Sequence, residues 1–304
     1  MDSLPLVSVI VPTRDRPEML GRALRRIETQ TYAGPIETIV VFDRSEPDLS
    51  LERPDPRRRV RVITNTRTPG LAGGRNSGAQ AAEGEYLAFC DDDDEWLPGK
   101  LAAQIDLLRA SSDAAVATCG IYIQYQGKVT TRVPDEDLLD FEGFLRDRMT
   151  EVHPSTFVVE AVAFRDKIGP VDEELPGSYA EDYEWLLRAS RATTIVSVPE
   201  PLARIWWHPK SFFADRWRMI DDALEHLLET YPEFRDCPEG WARIRGQQAF
   251  ARAALGDREQ AIAAIRETLN ADRTEKRALL AGLVVAGVSA DRLLALAHRF
   301  GRGI

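Results

Sequence analysis

Four consecutive carboxylates, Asp91-Asp92-Asp93-Asp94, follow an apolar run, Tyr86 to Cys90, in the stretch YLAFCDDDDEWLPGKL. Like charges this close repel, and a fold that gathers them loses free energy unless a cation or fixed donors balance them. The chemistry implied is a bound divalent metal. Acidic residues also cap helices and favour the positive end of the helix dipole, which would explain one or two of the four. An EF-hand loop is excluded, because it needs Gly at its sixth position and counting from Asp91 that position is Trp96. The string DDxx(D/E) fits Asp91, Asp92 and Glu95, but it belongs to all-helical enzymes and the surroundings here are rich in strand signals. A strand-end DxDx(T/V) phosphatase pattern fails at Glu95. Spacing alone leaves a metal and a phosphate-bearing substrate, the substrate open.

The elements that must position these acids can be read outward from them. Tyr86 to Cys90 has the length and composition of a buried strand, and Pro98 opens a helical pattern through Ala102, Ile105, Leu107 and Leu108. The acids thus stand where a strand gives way to a helix, at the sheet edge where open α/β folds bind ligands. Upstream, Val7 to Val11 reads as a central strand stopped by Pro12, with a polar loop Thr13 to Pro17 and a helix to about Gln30. Strands over Thr38 to Phe42 and Val60 to Ile63 follow. Gly70 to Gly78 is expected as a loop leading into a short small-residue helix, Ala79 to Ala82. Strands alternating with helices predict a mostly parallel, doubly wound α/β sheet with helices on both faces and four strand ends at one edge.

Further on, separate strands are expected at Ala115 to Thr118, Tyr122 to Tyr125 and Thr156 to Val159, and one over Thr194 to Val198 broken by Pro199 and Pro201. The acids of Asp135 to Asp140 read as the solvated start of a surface helix. Ala180 to Arg188 is a helix whose first turn carries Glu181 and Asp182. After about Phe212 the pattern is helical throughout. The expected division is a sheet domain over 1–212, with a nucleotide-binding half 1–118 and an acceptor-side half 119–212, and a C-terminal helical region over 213–304. Within that region Gly246 to Ala261 resembles one tetratricopeptide-type helix pair.

Composition bounds the rest. A chain of 304 residues can bury a full core, and a net charge of -10 argues against a nucleic-acid partner, whose phosphates need a basic face. Three cysteines without CxxC spacing suggest neither disulfides nor zinc and make a reduced, cytoplasmic setting the default. No signal peptide is read at the N-terminus, and the apolar stretch Ala278 to Ala290 is too short to span a bilayer, so membrane contact is expected only as peripheral.

Four blocks in order carry a resemblance: VSVIVPTRDRP at Val7 to Pro17, the strand ending in Asp43 with Ser45, GLAGGRNSGAQAAEGEYLAFCDDDDEWLPGKL at Gly70 to Leu101, and GSYAEDYEWLLRA at Gly177 to Ala189. Over roughly the first 210 residues the chain resembles the family 2 glycosyltransferases, which have a single-domain nucleotide-binding fold called GT-A. The resemblance implies that Pro12, Thr13 and Arg14 line the nucleobase and ribose, that Asp43 accepts a hydrogen bond from the base, and that Arg75 faces the diphosphate. Asp91, Asp92 and Asp93 cover the family's DxD, Asp93 holding Mg²⁺ or Mn²⁺ and the earlier acids approaching the ribose or a metal-bound water. Asp182 becomes the general base, and His208 matches a histidine near the diphosphate and metal. Phe42 and Trp206 depart from the pattern, standing where many members have an acid and an Arg.

The expected activity is metal-dependent transfer of a sugar from a nucleotide diphosphate, UDP foremost, to a glycan, lipid-linked or small-molecule acceptor, by single displacement with inversion. A homodimer is left open. Two alternatives are weighed beside it. A nucleotidyltransferase would want a Gly-rich loop after the first strand, and Thr13 to Pro17 has no glycine. A non-catalytic nucleotide-sugar-binding scaffold would not need both the acids and Asp182.

Overall fold

The computed structural model describes residues 4–207 and 216–299. His208 lies outside the described residues. The chain divides into two compact units, one made of Met1–Phe141, Met149–Glu173 and Glu181–Trp207, the other of Glu142–Arg148, Glu174–Ala180 and His208–Ile304.

In the first unit the elements run β1 (Val7–Thr13), α1 (Pro17–Glu28), β2 (Ile36–Phe42), β3 (Arg58–Thr64), α2 (Leu71–Ala81), β4 (Tyr86–Phe89), β5 (Glu95–Trp96), α3 (Lys100–Ala110), β6 (Ala114–Tyr125) and β7 (Lys128–Arg132). Next in the chain is α4 (Phe141–Arg146), which beyond Phe141 belongs to the second unit, and the first unit resumes with β8 (Val158–Glu160), a helical turn α5 (Ala161–Ala163) that widens through Phe164–Ile168, α6 (Glu181–Ala192) and β9 (Thr194–Trp206). One mixed sheet orders the strands β3-β2-β1-β4-β8-β6-β9-β5, with β7 paired to β6. β1 lies parallel to both β2 and β4, and β2 parallel to β3, so these four strand ends face one edge. β8 enters antiparallel between β4 and β6, which makes the far half of the sheet mixed rather than parallel. Every residue of β1 is buried, as its unbroken apolar run requires of a strand covered on both faces. Val9, Val11, Leu20, Ile27, Val40, Leu101 and Ile105 join one continuous core between the sheet and its helices.

Three local expectations change. The Gly-rich segment is itself helix: α2 starts at Leu71, and its glycines let it press on β1, since a Cβ at Gly78 would meet Ile10 Cγ2 at 2.4 Å and one at Gly74 would meet Pro12 Cβ at 3.2 Å. Packing overrides the low helix propensity of glycine. β6 is continuous from Ala114 to Tyr125. β9 is likewise one strand that runs through Pro199 and Pro201, the register against β6 slipping between Cys119 and Ile121, which is the irregularity that lets a sheet accept residues without a donor.

The second unit holds α7 (Trp217–Thr230), α8 (Pro238–Ala254), α9 (Arg258–Ala271), α10 (Lys276–Val285) and α11 (Ala290–Arg299). Ala249, Phe250, Ala264, Ala281 and Leu293 form its core, with Trp217 edge-on to Phe250 at 5.5 Å between ring centroids. The last helical stretch is two helices, because Gly287, at φ 103°, turns the chain between them. No helix among the described residues is long and apolar enough to cross a membrane.

Candidate active site

The parallel strand ends bring the first group together. Thr13 closes β1, and its carbonyl accepts the backbone N–H of Asp43 at 3.0 Å. The Asp43 carboxylate accepts from Asn65 Nδ2 at 2.8 Å and from the Gly70 N–H at 3.1 Å, tying β2 to the loop after β3 and to the start of α2. Pro12 and Thr13 are buried, whereas Arg14 is exposed and lies 3.7 Å from Asp15.

The acid run is held from several directions. Ser155 Oγ accepts the Asp91 N–H at 3.0 Å and donates to Asp94 Oδ2 at 2.5 Å. The Trp206 N–H reaches Asp94 Oδ1 at 3.3 Å. Thr13 Oγ1 donates to Asp92 Oδ2 at 2.7 Å, and Arg16 Nη1 spans Asp92 Oδ1 at 3.2 Å and Asp93 Oδ2 at 3.0 Å. Fixed donors therefore offset part of the repulsion. Burial first, then Asp91 and Asp92, push the Asp93 carboxyl up to about 6. Burial raises Asp94 well above the ordinary carboxylate range, with Asp93 and Asp91 adding to it, and burial raises Asp92 against the pull of Thr13 and Arg16.

Arg75 joins this run to α6. Its buried guanidinium donates to Asp91 Oδ1 at 2.7 Å through one arm and to Glu181 through the other. Burial alone would lower its pKa, but Asp91, Glu181 and Asp182 more than reverse that. Glu181, buried beside Arg75, is pushed upward by desolvation and then by Asp182 and Asp91, against the pull of Arg75. Asp182 is half-buried and lines one small hollow with Arg75, Phe89, Pro154, Phe157, Val171 and Trp185. Trp185 is core: it stacks on Phe157 with centroids 5.5 Å apart and donates to the Gly169 carbonyl at 3.2 Å.

Asp91, Asp94 and His153 each offer a ligand atom, all within 4.8 Å of one another. His153 Nδ1 accepts the Ser155 N–H at 3.3 Å and stands 3.5 Å from Asp94 Oδ2. Two carboxylates and one imidazole form a mixed oxygen and nitrogen donor set of the kind that holds a divalent cation. Asp93 sits on the same loop, facing Arg16.

Sequence reasoning left out four of these residues. Arg16, His153, Ser155 and Glu181 received no role, and only the pairing of Glu181 with Asp182 at a helix start carried a signal. The tract His153-Pro154-Ser155-Thr156 reads as a lead-in to a strand, yet it supplies the hydroxyl that sets the loop.

The pattern described as Glycosyl transferase family 2 matches residues 8–168, more than half of the chain. The chain belongs to this family. As a family 2 glycosyltransferase it is an enzyme that takes its sugar from a nucleotide-sugar donor. Its sequence is 34% identical, over 106 residues, to the UDP-Glc:alpha-D-GlcNAc-diphosphoundecaprenol beta-1,3-glucosyltransferase WfgD of Escherichia coli, covering 34% of this chain and 41% of that protein. Its fold is that of S. aureus TarS in complex with UDP-GlcNAc, at 20% identity and a TM-score of 0.58 over 97% of this chain and 92% of that one. A mannosyltransferase of Pyrobaculum calidifontis, in complex with GDP-Man and Mn²⁺, matches at 18% identity and a TM-score of 0.58, over 97% and 84%. At these identities the two structures establish the GT-A-like fold alone.

Proposed function

We propose that this family 2 glycosyltransferase is metal-dependent and inverting, that its donor is a UDP-linked sugar, and that Asp182 is its general base. The observation that carries the reading is Arg75, one guanidinium holding Asp91 of the acid run on one side and Glu181, the neighbour of Asp182, on the other. Donor and base elements are thereby fixed to each other.

In this reading Pro12, Thr13 and Arg14 border the nucleoside, and Asp43, ordered by Asn65 and Gly70, accepts from the base. Asp91, Asp94 and His153, with Asp93 beside them, would hold Mg²⁺ or Mn²⁺. A divalent cation there supplies charge stabilisation to the departing diphosphate. Asp182 accepts the acceptor hydroxyl's proton as that oxygen attacks the anomeric carbon, a contribution on the order of 10² to 10⁴ in rate. With Asp182 acting as base and not as nucleophile, the transfer is a single displacement, hence inversion. The named activity of WfgD, on a diphosphoundecaprenol-linked sugar, favours a lipid-linked acceptor and work at a membrane surface. A nucleotidyltransferase is disfavoured because the turn after β1, Thr13 to Pro17, contains no glycine to cradle a triphosphate.

The test is thermal stabilisation by UDP, GDP, dTDP and their sugars with Mn²⁺, followed by transfer assays on Asp182→Asn. The variant should keep donor binding and lose transfer by at least about 10². Unchanged transfer by Asp182→Asn would remove the base, and stabilisation indifferent to metal would remove the cation.

A further inference from the structure

Arg16 stands at the turn between β1 and α1, directly after Asp15, whose φ of 53° swings the chain out of the strand direction. That turn aims the Arg16 side chain back at the acid run. Nη1 reaches two carboxylates at once, Asp92 at 3.2 Å and Asp93 at 3.0 Å, while the side chain keeps 42% of its surface exposed. The second Asp92 oxygen is taken by Thr13. Arg16 thus holds the middle of the acid run, whereas Arg75 holds Asp91.

The consequence follows from charge and space. A divalent cation binds carboxylate oxygens at about 2.0–2.6 Å and repels a second cation placed on the same oxygens. A guanidinium 3.0 Å from an Asp93 oxygen therefore weakens the hold of the run on a divalent cation. Four adjacent carboxylates on one loop need a compensating positive charge beside them. Arg16 supplies that compensation from within the chain, and its exposure gives it somewhere to go.

We propose that Arg16 is a built-in counter-cation of the acid run: it holds Asp92 and Asp93 beside the Asp91, Asp94 and His153 set and opposes a divalent cation there, so that Arg16 sets metal affinity. This rests on the reading that the acid run binds a metal. Arg16 is a positioning residue here, acting through Asp92 and Asp93. Its partly exposed ion pairs are individually weak, so the expected effect of removing both is roughly three- to tenfold in affinity.

The experiment titrates the full chain with Mn²⁺ in the absence of donor and follows free Mn²⁺ by electron paramagnetic resonance. Arg16→Gln should bind Mn²⁺ roughly three- to tenfold more tightly than the wild type. Arg16→Lys should fall between them, because an ammonium keeps the charge but cannot fork across two carboxylates. Equal affinity for wild type and Arg16→Gln, or weaker affinity for Arg16→Gln, overturns the proposal and leaves the metal reading intact. An Arg16→Lys variant that binds Mn²⁺ as tightly as Arg16→Gln also overturns it, because the retained positive charge should still oppose the ion. No Mn²⁺ binding by any of the three removes the metal reading itself, and this proposal with it. Matching circular dichroism and thermal transitions check that each variant is folded.

Discussion

Replacing Lys100 by Met should stabilise the first unit at neutral pH. Lys100, the first residue of α3, is fully buried, and its Nζ has no hydrogen-bond partner. Its one favourable contact of note is the Trp96 ring, whose centroid lies 4.0 Å from Nζ. Desolvation lowers its pKa from 10.5 to about 8, with the Cys119 and Cys90 thiols nearby opposing weakly. A drop of that size corresponds to about 3 kcal/mol of destabilisation while the amine is charged in both states. The lost cation–π contact offsets about 1–2 kcal/mol of this, so Lys100→Met should gain about 1–2 kcal/mol at pH 7. The sign of the pH dependence follows from proton counting. Between about pH 8 and 10.5 the unfolded chain holds a proton that the folded chain has lost, so wild-type stability rises with pH in that window and the advantage of Met shrinks. Urea denaturation of both proteins from pH 7 to 10 should show the gap closing by up to about 1.4 kcal/mol per pH unit above pH 8. A Met variant less stable than wild type at pH 7, or a gap that ignores pH, would refute the argument that desolvation dominates at this site.

Other expectations follow from the site and its scaffold. If Asp93 is a metal ligand, Mn²⁺ affinity falls as pH drops through about 6, because the protonated carboxyl cannot coordinate. A titration that is flat from pH 7 to 5 would exclude Asp93. Gly78→Ala places a Cβ 2.4 Å from Ile10 Cγ2 in the middle of β1, and the resulting strain, roughly 1–3 kcal/mol, should exceed the gain in helix propensity and lower the denaturation midpoint. An unchanged or raised midpoint would show that α2 can lift from the sheet without loss.

The elements nearest the acids were legible because their signals are local. Val7 to Val11 and Tyr86 to Cys90 are apolar runs bounded by Pro12 and the aspartates, and both became buried strands within a residue or two. Segments decided by packing were not. α2 reads as loop because glycines weaken helices, and only the closeness of Ile10 and Pro12 shows why glycine is needed there. Pro199 and Pro201 suggest a break, but a register slip against β6 absorbs them. β5 is two residues long and has no periodicity to read. At the site, the aspartates stand out as a run of like charge, and Asp43 and Arg75 are reached through the family resemblance. Arg16 and Ser155 do not, since their partners lie 76 and 61 residues away and nothing local marks the contact.

The Ser155 hydroxyl has one proton to give and spends it on Asp94, while its lone pair takes the Asp91 amide. The posture of the loop is therefore dictated from outside it, by a residue just ahead of β8. On the proposed metal-binding reading, this serine is a handle on ion preference that spares every aspartate. Ser155→Thr would keep the relay and crowd it, whereas Ser155→Ala would cut it at both ends and let the first and last acids of the run drift apart.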